Sequence, residues 1–120
     1  MRISTLAVSL LAFAPLAALA ADPVNDDDIM GTRYGNTTLV HETLGTSHIY
    51  YKQDHTFAGG NWILDVSGKW KIENGQICLY WDKKPPMHAD PECDKVEKHV
   101  IGDKWKVGSR DFELVKGITK

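Results

Sequence analysis

Gly68-Lys69-Trp70-Lys71-Ile72-Glu73-Asn74-Gly75-Gln76-Ile77-Cys78-Leu79-Tyr80-Trp81-Asp82 is the stretch on which the fold turns. From Lys69 to Glu73 charged and apolar residues alternate strictly, so Trp70 and Ile72 share one face of a strand and the charges share the other. Asn74-Gly75 is the preferred pair for a two-residue type I′ turn, whose two central positions both need positive φ. The returning strand, Gln76 to Asp82, sets Ile77, Leu79 and Trp81 on one face and Cys78, Tyr80 and Asp82 on the other. The stretch is an antiparallel hairpin.

Short β-prone runs separated by turn residues continue in both directions. Upstream, strands are expected at Thr37 to Thr43 and Ser47 to Lys52, with Leu44-Gly45-Thr46 between them. Gln53-Asp54-His55 turns the chain before Thr56 and Phe57, and Gly59-Gly60-Asn61 breaks it. Downstream, Lys83 to Asp94 holds Pro85, Pro86 and Pro91 without periodicity and reads as an irregular loop. Strands then follow at Lys95 to Ile101, Lys104 to Val107 and Asp111 to Lys116, the last with Phe112 and Leu114 on one face. No sustained 3.6-residue apolar period occurs, so little or no helix is expected after the N-terminal leader. Gly68-Lys69-Trp70-Lys71-Ile72 is echoed at Gly102-Asp103-Lys104-Trp105-Lys106-Val107, as two equivalent hairpin strands each burying a tryptophan would be. The expected fold is all-β, a small antiparallel meander closing into a barrel or a two-layer sandwich, because a flat sheet of short strands leaves exposed edges.

The N-terminus has a different character. Arg2 precedes an apolar run from Leu6 to Leu19, and Ala18-Leu19-Ala20 is an A-x-A cleavage signal, with cleavage after Ala21 as the alternative. Residues 1–20 therefore read as a secretory signal peptide, too short for a membrane span. Residues 21–35, with Asp26-Asp27-Asp28, read as a mobile, solvated arm, and residues 36–120 as a single β-domain. Of 120 residues, about a hundred remain to build one modest core. With 14 Lys and Arg against 16 Asp and Glu, no basic run and no glycine-rich phosphate loop, the chain has no footprint for nucleic acid or a dinucleotide cofactor. No second hydrophobic span follows, so the mature chain is expected without a transmembrane segment, in the periplasm or secreted.

Export places Cys78 and Cys93 in an oxidising compartment, where a structural disulfide is expected. A redox role is the alternative, without the C-x-x-C spacing that would favour it. His41, His48 and His55 recur every seven residues, and His88 and His99 follow. Three or four of them would have to converge for a zinc site, and surface histidines are the plainer reading. His88 to Asp94 resembles a ligand cluster, but its cysteine is claimed by the disulfide. Asn25 to Asp28 lacks the glycine and the terminal glutamate of a calcium loop. No metal and no cofactor are expected.

The candidate binding set is His48, Tyr50, Tyr80 and Asp82. His48 and Tyr50 lie opposite Ile49 and Tyr51, and Tyr80 and Asp82 lie opposite Ile77, Leu79 and Trp81. If the two polar faces meet inside a curled sheet, they line a pocket with stacking surface and hydrogen-bonding tips. If they face solvent, they are ordinary β-surface residues. No G-x-S-x-G, free Cys beside a His, or H-E-x-x-H supplies a catalytic signature.

Tyr50-Tyr51-Lys52-Gln53-Asp54-His55-Thr56-Phe57, followed by Gly68 to Cys78, resembles a group of short exported alphaproteobacterial proteins of unknown function. Their pattern is a Tyr-rich strand, an Asp-Gly-Thr-Phe-like turn, a Gly-x-Trp strand, an Asn/Asp-Gly turn, a Leu-Cys strand and a second Cys in a proline-containing loop. His55 stands where that pattern has glycine. The resemblance implies a small periplasmic β-domain and no particular activity; Gly-x-Trp within a meander is also loosely similar to lipocalin-like barrels. The expectation is an exported, non-catalytic β-domain that binds a small ligand or an envelope partner. The alternative is a cofactor-free lyase or isomerase acting on a small aromatic or sugar-like substrate through the four candidate residues.

Overall fold

The computed structural model describes residues 25–43 and 45–120. The expected signal peptide, residues 1–20, lies outside the described residues. Eight strands form one antiparallel sheet: β1 (Thr37–Glu42), β2 (Gly45–Tyr51), β3 (Thr56–Gly60), β4 (Asp65–Glu73), β5 (Gln76–Trp81), β6 (Glu92–Lys95), β7 (Lys104–Val107) and β8 (Arg110–Val115). The spatial order is β6-β5-β4-β3-β2-β1-β8-β7. β8 returns to pair with β1, Val40 opposite Phe112. The sheet curls into a nearly closed barrel with β6 and β7 at the two edges of its seam. Arg110 spans that seam, its Nη2 2.6 Å from Oδ2 of Asp94 on β6.

The hairpin at Asn74-Gly75 forms as its sequence dictates. Asn74 and Gly75 adopt φ of 52° and 75°, and Trp70 pairs with Leu79. Trp70, Leu79 and Ile77 join Phe57, Tyr51 and Met30 in the core. Cys78 lies directly opposite Cys93, and the two are bonded on the outer face of the sheet.

Three expectations are corrected. Gly59 and Gly60 do not break the chain; they extend β3, because neighbouring backbone packs where a side chain would stand. A Cβ on Gly59 would lie 2.0 Å from the His48 carbonyl oxygen, and one on Gly60 2.2 Å from that of Leu64. The sixth strand is Glu92–Lys95 rather than Lys95 to Ile101, since the disulfide fixes Cys93 in register with Cys78.

The described part of residues 21–35 is not a mobile arm. Asn25 accepts from the Asp27 backbone N–H and caps a one-turn helix, α1 (Asp26–Met30), whose first turn holds three aspartates that complement the helix dipole. A 3-10 turn (Gly31–Arg33) follows. Met30 is fully buried against the core, which stabilises the docked segment by about 2 kcal/mol. Asp27 accepts from the Tyr34 hydroxyl and Gln53, and Asp26 faces His55 at 3.6 Å. These contacts seat α1 against the β2–β3 turn, so it plugs that end of the barrel. Among the described residues no helix is long and apolar enough to cross a membrane.

Candidate functional site

Alternation along the strands divides the sheet into an outer and an inner face. The inner face encloses a cavity of about 600 Å³. Its walls are Val40 from β1, Ile49 and Tyr51 from β2, Val66 from β4, Ile77, Leu79 and Trp81 from β5, and Phe112 from β8. Arg33, in the 3-10 turn, reaches the cavity at the plugged end. At the opposite end the lining passes to Thr43, Asn61, Ile63, Leu64, Pro85, Pro86, Met87 and Ser109, which belong to the connections there. That end is the mouth. Ile63 and Met87 are 68% and 93% exposed at its rim, and Trp62, 83% exposed, stands beside the β1–β2 connection at Gly45.

Polar groups enter the apolar cavity at defined points. Glu42, Glu92 and Asp94 converge on the Arg110 guanidinium, at 4.0, 3.9 and 2.6 Å. His88 Nδ1 lies 2.9 Å from Glu92 Oε1, with its ring edge-on to Trp81. Arg33 is 5% exposed. It donates to the Glu97 carbonyl oxygen at 3.1 Å and to Met30 Sδ at 2.9 Å, and stands 5.6 Å from the centre of the Trp105 ring. Burial pulls its pKa below the ordinary arginine value. Burial also holds the Tyr51 hydroxyl protonated, its pKa pushed up to about 12. Thr38, 2% exposed, lines the same cavity, and its hydroxyl is buried without a hydrogen-bond partner among the described residues.

The four residues picked from the sequence are not brought together in this cavity. Tyr50 donates its hydroxyl to the Thr119 carbonyl oxygen near the C-terminus. Tyr80 donates to Glu73 at 2.9 Å, and the Lys71 ammonium lies over its ring, 5.6 Å from the centre. Asp82 accepts from Ser67 at 2.8 Å. His48 borders the cavity, but alternation with Ser47 and Ile49 sets its side chain on the outer face with Tyr50. The physical reason is that the sheet curls around its apolar face, which holds the core, so the polar faces of β2 and β5 point away from each other. A lyase or isomerase acting through these four side chains needs them to converge, and the fold keeps them apart.

The histidines are dispersed as well. His55 stacks on Trp70 at 4.0 Å, His99 stacks on Trp105 at 3.6 Å, and His41 faces Glu113. Among the described residues, no three His, Cys, Asp or Glu side chains are grouped to hold a metal ion.

The inward polar residues had a usable signal. Glu42 is in phase with Val40, Arg110 is in phase with Phe112 and Leu114, and Tyr51 is in phase with Ile49. A charged or hydroxyl-bearing residue in register with an apolar face faces the interior, and this phase singles out the polar lining better than the polar face does. No protein family, curated protein or solved structure matches the chain.

Proposed function

We propose that this chain is an exported, non-catalytic binding domain that holds a small, largely apolar ligand inside its barrel. The observation that carries the reading is the cavity of about 600 Å³, plugged at one end by α1 and reaching a mouth at the other. Its volume falls within the roughly 300–1,000 Å³ typical of small-molecule sites, and its walls combine apolar and aromatic side chains with a few polar groups. Support for export comes from the signal-like residues 1–20 and from a disulfide, which persists in oxidising compartments. The exposed Trp62, Ile63 and Met87 around the mouth favour a second reading, docking of that rim against another envelope component.

The test uses N-phenyl-1-naphthylamine, an uncharged fluorophore that brightens in apolar surroundings. The folded, oxidised domain is expected to bind one equivalent. Ser47→Trp, which fills the cavity from a position that is only half-buried, is expected to weaken that binding at least tenfold without loss of the fold. No saturable binding, or equal binding by Ser47→Trp, would overturn the proposal.

A further inference from the structure

Among the described residues every charged group on the cavity wall except Arg33 has a protein partner of opposite sign, three carboxylates sharing the single Arg110 guanidinium. The carboxylates of Glu42, Glu92 and Asp94 are all turned to Arg110, and His88 adds a second contact to Glu92. Among the described residues Arg33 has no carboxylate within ion-pair distance. Its guanidinium carries five N–H donors, and two protein acceptors, the Glu97 carbonyl and Met30 sulfur, engage only part of that fork. A buried cation without a counter-ion is costly, and proteins ordinarily pair it.

Two hydroxyl-bearing residues, Thr38 and Tyr51, line the same cavity. The Thr38 hydroxyl is buried and unpartnered, and burial keeps the Tyr51 hydroxyl protonated. The open part of the Arg33 fork faces a space whose remaining wall is mainly apolar and which ends at a rim of exposed apolar side chains.

We infer that the ligand is an amphipathic anion, an acid head group on an apolar chain, with the head held by Arg33 at the plugged end and the chain running toward the mouth. The inference rests on the binding-domain reading and deepens it by naming the ligand's chemistry. The acid fills the open part of the Arg33 fork with charge-assisted hydrogen bonds. The chain lies against Ile49, Val66, Leu79 and Trp81, and Ile63 and Met87 at the rim give an apolar path for entry. A carboxylate and a phosphate monoester share this head-group chemistry.

The experiment is calorimetric titration of the folded, oxidised domain with decanoate, decyl phosphate, decanol and decyltrimethylammonium, each below its micelle concentration. Decanoate, decyl phosphate or both are expected to bind at least tenfold more tightly than decanol, with the cation weakest. Whichever acid is tighter identifies the head. Arg33→Gln is expected to bring acid and alcohol to equal affinity, while Arg33→Lys retains a preference for the acid. Equal affinities for acid and alcohol in the wild type, or tighter binding of the cation, overturn the inference while leaving the cavity as a binding site. Failure of all four amphiphiles and of the uncharged fluorophore overturns the binding-domain reading itself. If Arg33→Gln does not fold, the wild-type ranking together with Arg33→Lys still decides the question.

Discussion

Tyr51→Phe tests the interior placement of Tyr51 through the pH dependence of stability. Burial, reinforced by Asp94 and Glu92 against the opposing Arg33 and Arg110, raises the folded-state pKa of its hydroxyl from 10.0 to about 12. Well below pH 10 the hydroxyl is protonated in both folded and unfolded chains and contributes no pH dependence. Between pH 10 and pH 12 the unfolded chain loses this proton and the folded chain retains it, so stability falls as pH rises. A shift of that size corresponds to about 1.4 kcal/mol at pH 11 and approaches about 3 kcal/mol above the folded-state pKa. Phenylalanine removes the ionisable group and leaves the ring packed against Trp70, which it meets edge-on at 6.4 Å. At pH 8 the variant is therefore expected to lie within about 1 kcal/mol of the wild type, because no hydrogen bond is lost among the described residues. The assay is urea unfolding of both proteins at pH 8, 10 and 11, followed by tryptophan fluorescence. Tyr34 and Tyr80 are also shifted upward and contribute to the alkaline slope of both proteins, so the difference between them isolates Tyr51. If the stability difference is the same at pH 8 and pH 11, the Tyr51 hydroxyl does not sit in the barrel interior.

Replacing both Cys78 and Cys93 with alanine removes a cross-link that spans fifteen residues and anchors the four-residue edge strand β6. The chain-entropy relation gives a loss of about 3 kcal/mol, to be read from urea midpoints; an unchanged midpoint would contradict the structural role. Gly59→Ala drives a Cβ against the His48 carbonyl and is expected to disrupt the β2–β3 pairing, whereas Gly31→Ala, in open space with helical φ, is tolerated. Thermal unfolding of the two variants measures the contrast, and equal midpoints would show that Gly59 is not packed against β2.

The sequence is legible where local rules act alone. Strict alternation around Trp70 and the Asn74-Gly75 pair define the hairpin, and export chemistry predicts the bond between Cys78 and Cys93. It is less legible where distant contacts override local preference. Gly59-Gly60 carries a turn-like composition, yet the close approach of His48 and Leu64 makes it strand. Asp26-Asp27-Asp28 resembles a solvated arm by composition, yet Asn25 caps it and Met30 anchors it to the core. The candidate site depended on which face of the curled sheet turns inward. His48, Tyr50, Tyr80 and Asp82 form a set only where polar faces meet, but the apolar face closes on itself. Arg33 was hidden for a related reason, since its position at the cavity follows from the docking of a short N-terminal segment rather than from any strand periodicity.

The cavity as ligand site is tested by amide chemical shifts of the ¹⁵N-labelled domain during titration with decanoate and with N-phenyl-1-naphthylamine. Saturable shifts are predicted at Arg33, Thr38, Val40, Ile49, Leu79 and Phe112, which face the cavity from five separate elements. Shifts confined to the outer positions Tyr50, Tyr80 and Asp82, or no saturable shifts with either compound, would contradict a ligand site inside the barrel.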